Sequence, residues 1–307
     1  MGGPNSLQLY AVDDAQAQRA VQAAQAEVLR IEAKFSRYRD DSIVSRINAA
    51  AGSGTPVQVD DETAGLLNYA ATVHEQSDGL FDITSGVLRK AWDFKAQRIP
   101  EQSELNALLP LIGWPKVQWR RPHIALPLKG MQIDFGGFGK EYAVDRAAGV
   151  LAAEGIAHGL IELGGDLRVI GPHADGSAWQ VGIRHPRLAE TAIATLPLHR
   201  GAIASSGDYE RYFEREGRRY SHILDPRSGW PVRDSFASVS VLADQCLIAG
   251  TATTIAMLKG RSEGGAWLAA LGLPRLCIDP DLVIGGSLYE IDEARVGAAA
   301  EQTATTG

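Results

Sequence analysis

The segment MQIDFGGFGKEYAVDRAAGVLAAEG, residues 131–155, reads as a strand, a glycine turn and a helix. Three stretches downstream of that helix decide the fold class. HGLIELGGDLRVIG (158–171), AWQVGIRHP (178–186) and ATLPLHRGAIASSGD (194–208) are strand-like and separated by turns, with no helix between them. That arrangement predicts an antiparallel sheet rather than repeated βαβ units, and so an α+β fold. Upstream, LQLYAV (7–12) reads as a first strand. Val21, Ala24, Val28, Ile31 and Phe35 then form one apolar helical stripe, with Asp13 or Asp14 as its cap. A short helix is predicted near Ile43–Asn48 and a capped one over 60–77, with Leu66, Ala70 and Val73 inward. The proline-punctuated segment 95–130 reads as a connection of short pieces, and 218–232 as a polar loop. FASVSVLAD (236–244) alternates as a strand, LIAGTATTIAMLKG (247–260) comes next as a helix, and LVIGGSLYEI (282–291) suggests a closing hairpin. The small polar tail 297–307 is expected to fray.

The 307 residues suffice for one large domain or two packed lobes. A net charge of -7 argues against a general nucleic-acid binder, which needs a basic face. No apolar run reaches the ~18 residues of a membrane span. Cys246 and Cys277 make neither a CxxC pair nor a zinc pattern, and read as free thiols. Residues 1–14 carry no basic and apolar leader, so a cytoplasmic location is expected, or a periplasmic or membrane-anchored one if a leader precedes them.

Five stretches could carry chemistry. DFGGFGK (134–140) takes a glycine turn into a helix and ends in lysine, an arrangement that suits an anion but is also an ordinary tight turn. It matches neither the Walker A nor the GxGxxG spacing. In ELGGDLR (162–168) the glycines suit a bulge or close approach to a ligand, and Asp166 is either a ligand contact or a turn former. In 205–232, His222 and Asp225 could form a proton-transfer pair, or His222 is a structural loop histidine. Tyr38, within KFSRYRDDSIVSRIN, either stacks on a ring or is half-buried. Asp82 and Thr84 mark either a ligand edge or a helix cap.

Together and in order, MGGPNS, FSRYRDDSIVSRIN, GLFDITSG, IDFGGFGKEYAVD, LIELGGDLRVIG, the 202–232 block and SVSVLADQCLIAGTATTIAMLKG resemble the FAD:protein FMN transferase (ApbE) family over residues 1 to about 260. The resemblance implies one transferase domain spanning 1–307, an α+β fold of two lobes with antiparallel sheets, flanking helices and an FAD cleft between the lobes. It implies Mg²⁺-dependent cleavage of the FAD pyrophosphate, transfer of FMN to a Thr or Ser of an acceptor protein carrying an FMN-binding domain, and release of AMP. Residue by residue, it implies FAD contacts at Met1, Tyr38, Leu80, Phe81, Asp82, Asp134, Lys140 and Ile223. His222 becomes the general base, Gly137 a carbonyl metal ligand and Thr254 a hydroxyl metal ligand.

Two positions depart from the family pattern. The last motif, with an aspartate after its first alanine, here reads Ala249-Gly250-Thr251-Ala252-Thr253-Thr254, and the lysine–glycine pair reads Lys140-Glu141. Loss of a carboxylate at 250 weakens a Mg²⁺ site, since Mg²⁺ relies on one or two carboxylates with phosphate oxygens. Two expectations result. Either Glu141 (or, more weakly, Asp244) supplies the charge and the chain is a transferase, or the chain is a flavin carrier or flavin-dependent redox protein with a defective metal site. On the second reading Gly250→Asp restores Mg²⁺-dependent activity. Thr251 and Thr253 are read as helix-start residues.

Overall fold

The computed structural model describes residues 3–288, so Met1, residues 289–291 and the tail lie outside the described residues. The chain runs β1 (Asn5–Tyr10), α1 (Asp14–Phe35), α2 (Ile43–Ala49), β2 (Val57–Gln58) and α3 (Asp61–Gln76). A 3₁₀ helix (Ile83–Lys90) precedes α4 (Gln102–Leu108), β3 (Gln118–Arg120) and β4 (His123–Ala125). Then come α5 (Gly139–Ala153), β5 (His158–Leu163), β6 (Asp166–Gly171), β7 (Trp179–Arg184), β8 (Ala192–Leu198) and β9 (Gly201–Gly207). β10 (Tyr212–Arg215), β11 (Arg218–Ser221), β12 (Ser238–Ala243), α6 (Cys246–Lys259), α7 (Arg261–Leu271), β13 (Arg275–Ile278) and β14 (Ile284–Gly285) complete it.

The fold is α+β. Seven strands pair antiparallel in the order β1-β5-β6-β9-β12-β13-β14. Helices α5 and α6 lie on one face, and α1 packs over α5. The β7–β8 hairpin covers an apolar cluster that includes Leu160, Val169, Trp179, Ile203 and Leu276. Each such side chain contributes roughly 1.5–3 kcal/mol on burial. A second cluster joins the 3₁₀ helix and α4, through Val87, Leu88, Trp92 and Leu105, to Phe213 and Tyr220 of the β10–β11 hairpin.

Local chemistry explains the helix starts. The Asp13 side chain accepts from Gln16 N, and the Asp60 side chain accepts from Thr63 N at the start of α3. The α1 stripe holds at Ala24, Val28, Ile31 and Phe35 and departs only at its first position. Val21 is exposed and Ala20 is buried in its place, with Ala24, Ile31 and Phe35.

Residues 131–135 do not form the predicted strand. Met131, Ile133 and Phe135 alternate inward as a strand would. Their backbone, however, bonds helical residues instead of a ladder: Ile133 N donates to Asn48 Oδ1 of α2 and Asp134 N to Ile83 O at the start of the 3₁₀ helix. The predicted loop 218–232 likewise begins with a strand, because Arg218–Ser221 pairs with Tyr212–Arg215.

Candidate active site

The glycine turn at 136–138 launches α5 and leaves Gly136 and Gly137 exposed at the surface. A Cβ on Gly137 would lie 2.8 Å from Phe81 Cζ, so the missing side chain lets the turn rest on that ring. Phe81 stacks on Phe138, with centroids 6.0 Å apart. Asp134 precedes the turn. Its Oδ1 accepts from Gly136 N at 2.9 Å, and its Oδ2 accepts from Arg37 Nη1 at 3.0 Å with Arg89 Nε 3.6 Å away.

At the start of α5, Lys140 Nζ pairs with Asp166 Oδ2 at 2.5 Å and donates to Gly164 O at 3.3 Å. Burial acts to lower the lysine pKa, but Asp166 and Glu141 outweigh it and hold it above the ordinary value. The ELGGD glycines are a two-residue hairpin. Leu163 pairs with Asp166 across Gly164 and Gly165, both at positive φ, which a primed turn requires. This turn brings Asp166 to Lys140 and also to Ser205 N, from which it accepts at 3.0 Å.

Glu141 is 7% exposed, and its Oε2 is buried without a hydrogen-bond partner. Burial first and the Asp166 charge second push its carboxyl well above the usual range, against the pull of Lys140. Its side chain lies against α6. A Cβ on Gly250 would sit 2.5 Å from Glu141 Cγ and 3.0 Å from its Oε1. Gly250 and Thr254, four residues apart, share one face of α6. A side chain at 250 would therefore meet Glu141 as it stands.

The threonines are not at the helix start. α6 begins at Cys246, and Asp145 of α5 caps it, accepting from Cys246 N and Leu247 N at 2.9 Å each. Buried Thr251 accepts from Tyr69 Oη at 2.8 Å. Buried Thr253 donates to Gly250 O and meets Ser206 Oγ, at 2.8 Å each. Thr254 alone of the three is partly exposed, with Ser206 Oγ 3.3 Å away.

Asp82 caps the 3₁₀ helix and is saturated by protein donors: Thr84 N, Thr84 Oγ1 and Trp114 N, with His74 Nε2 at 3.4 Å. Burial opposes its ionisation, but His74 and these hydrogen bonds hold its pKa below the ordinary value. Its carboxylate therefore holds the loop carrying Leu80 and Phe81, whose side chains are themselves buried. Tyr38 is 78% exposed rather than half-buried, and Arg37 lies over its ring.

His222 and Asp225 do not pair. Asp225 is taken by Arg227, whose backbone N and guanidinium both donate to it. His222 Nδ1 is buried without a partner, and the imidazole pKa is lowered to about 4, by burial first and then by the charges of Arg211 and Arg89. Ile223 beside it is buried. Arg89 thus lies between the His222 environment and Asp134. Neither Arg89 nor Arg37 stands out in the sequence. The signal that points to them is Asp134, a carboxylate beside a glycine turn whose nearest lysine in the motif, Lys140, is engaged by Asp166.

Among the described residues no three His, Cys, Asp or Glu side chains form a metal cage. A cavity of about 520 Å³ lies at the far end of α6, lined by Trp230, Lys259 and Arg261 among others but by neither Lys140 nor Glu141. No described helix is long and apolar enough to cross a membrane.

The ApbE family model matches residues 1–276. A Vibrio cholerae protein named FAD:protein FMN transferase is 32% identical over 251 residues, which cover 80% of this chain and 75% of that protein. The crystal structure of the ApbE protein of Thermotoga maritima superposes with a TM-score of 0.83 at 30% identity, covering 93% of each chain. The apo form of Pseudomonas stutzeri flavinyl transferase ApbE gives 0.82 at 30% identity, covering 94% of this chain and 92% of that one.

Proposed function

This chain belongs to the ApbE family, and from that premise we propose that it transfers FMN from FAD to a Thr or Ser hydroxyl of an acceptor protein. The acceptor oxygen attacks the flavin-side phosphorus, the bond to the bridging oxygen breaks, and AMP leaves. Phosphoryl-type transfers of this kind depend mostly on positioning and charge stabilisation. FAD would lie between the sheet–helix body and the part built on the 3₁₀ helix, α4 and the β10–β11 hairpin, within a single domain of two packed lobes.

The observation that carries this reading is the meeting of blocks far apart in sequence. Lys140 bonds Asp166, and Glu141 lies against Gly250 one helical turn from Thr254. Lys140 faces the pyrophosphate. His222, neutral at pH 7, takes the proton of the acceptor hydroxyl. An anion between Arg89 and Arg211 would offset the charges that depress the imidazole pKa and make it a better base. Tyr38 offers an open aromatic face, while buried Leu80, Phe81 and Ile223 shape the flavin side.

The residues here fit a hard divalent cation. The Glu141 carboxyl lies over Gly250 with Oε1 toward it and Oε2 buried without a partner, the hydroxyl-bearing Thr254 is on the same helix face as Gly250, and exposed Gly137 lies just before α5. Mg²⁺ bound there supplies positive charge against the pyrophosphate and the AMP leaving group. The carboxylate beside Gly250 favours a transferase over a flavin holder with a broken metal site.

The test uses an FMN-binding acceptor domain incubated with this protein, FAD and Mg²⁺, and read by intact mass. The acceptor should gain one FMN, and its Thr→Val variant should gain none. Equal labelling of both acceptors, or of neither, contradicts the reading.

A further inference from the structure

Gly250 sits in the interior of α6 and is buried. A glycine there costs about 1 kcal/mol relative to alanine, so a packing reason is called for. That reason is Glu141. Its Cγ would lie 2.5 Å, and its Cδ and Oε1 3.0 Å, from any Cβ at 250. The contact involves the middle of the glutamate side chain as well as its tip, so a residue with a side chain at 250 and the present Glu141 conformer exclude one another.

The occupant is not a hydrophobic filler. It is a carboxyl group with one oxygen buried and left without a partner. An orphaned buried carboxylate oxygen costs about 1–3 kcal/mol or more, and the fold retains it next to Lys140, Asp166 and the Thr254 face. We infer that Glu141 is the anionic protein ligand of the divalent cation. It reaches from α5 over Gly250, into the space a side chain at 250 would need. This inference rests on the transferase reading for the identity of the cation, but its test does not depend on turnover.

The competing role is purely structural: Glu141 as a neutral acid hydrogen-bonded within the buried cluster. Glu141→Gln separates the two, because it keeps the shape and hydrogen-bonding capacity of a neutral acid and removes only the anionic ligand. The probe is Mn²⁺, titrated into FAD-saturated protein and followed by the loss of the free-ion EPR signal. Wild type should bind Mn²⁺. Glu141→Gln should weaken binding by about tenfold or more, since losing even an outer partner of a metal ligand costs ~10–100-fold. FAD affinity measured in EDTA should not fall, because the cation is then absent from both proteins.

Gly250→Asp alone should lower the melting temperature and gain no Mn²⁺ affinity. The double exchange Glu141→Gly with Gly250→Asp should recover Mn²⁺ binding to within a few-fold of wild type. Unchanged Mn²⁺ binding in Glu141→Gln, or no binding in wild type, overturns the inference. If FMN still reaches an acceptor while Glu141→Gln binds Mn²⁺ normally, this inference fails and the transferase reading stands. If Mn²⁺ binding depends on Glu141 but no acceptor is labelled, the transferase reading fails and the inference stands.

Discussion

His222 combines a buried, partnerless Nδ1 with two cationic neighbours, Arg211 and Arg89. Above pH 6.5 the imidazole is neutral in both the folded and unfolded chain. Below it, the unfolded chain takes up a proton that the folded site refuses until about pH 4, so stability falls across that window. A urea titration series should show wild type losing up to about 3 kcal/mol more than His222→Asn between these limits. Equal losses would exclude a depressed imidazole. The same variant should lower FMN transfer by ~10²–10⁴-fold if His222 is the base. Gly137 makes a steric prediction. A methyl group at 137 lands 2.8 Å from Phe81 Cζ, so Gly137→Ala should cost about 1–3 kcal/mol by overpacking, read as a lower urea midpoint. Residue types were legible in the sequence, and pairings were not. Lys140 and Thr254 stood out by type and motif, whereas the His222–Asp225 pair did not form because Arg227, two residues beyond Asp225, takes the carboxylate. Glu141 was legible as a charge, but its position over Gly250 exists only when α5 and α6 are packed.

At the scale of elements, the least visible feature of the sequence is the start of α6. Its N-cap, Gln245, makes no side-chain capping bond, and the work falls to Asp145, about a hundred residues earlier. Asp145 also accepts from Arg168 Nη1 at 2.7 Å, tying α5, α6 and β6 together. Asp145→Ala should therefore cost about 2 kcal/mol, at the upper end for a lost cap, and lower the midpoint of urea unfolding. An unchanged midpoint would remove Asp145 from this role. Helices with local caps, α1 and α3, were legible because Asp13 and Asp60 lie next to the turns they bond. The strand predicted at 131–135 failed for the converse reason. The alternation was real, but its hydrogen bonds go to Asn48 of α2 and Ile83 at the start of the 3₁₀ helix instead of to a strand.

For the whole molecule, the antiparallel character came from strands linked by turns, but the sheet order did not. β1 pairs with β5 across about 150 residues, and β9 with β12 after the β10–β11 excursion, and both pairings depend on burying one face under α5 and α6. That arrangement brings Lys140 at the start of α5 to Asp166 at the start of β6, and Ser206 near the end of β9 to Thr254 within α6, although no one motif contains them all. The most direct test of the transferase account is to count both products of the bond it breaks. Purified protein, FAD, Mg²⁺ and an acceptor domain should yield AMP and covalently bound FMN in equal amounts, rising together with time. A stable yellow complex that releases no AMP would contradict it.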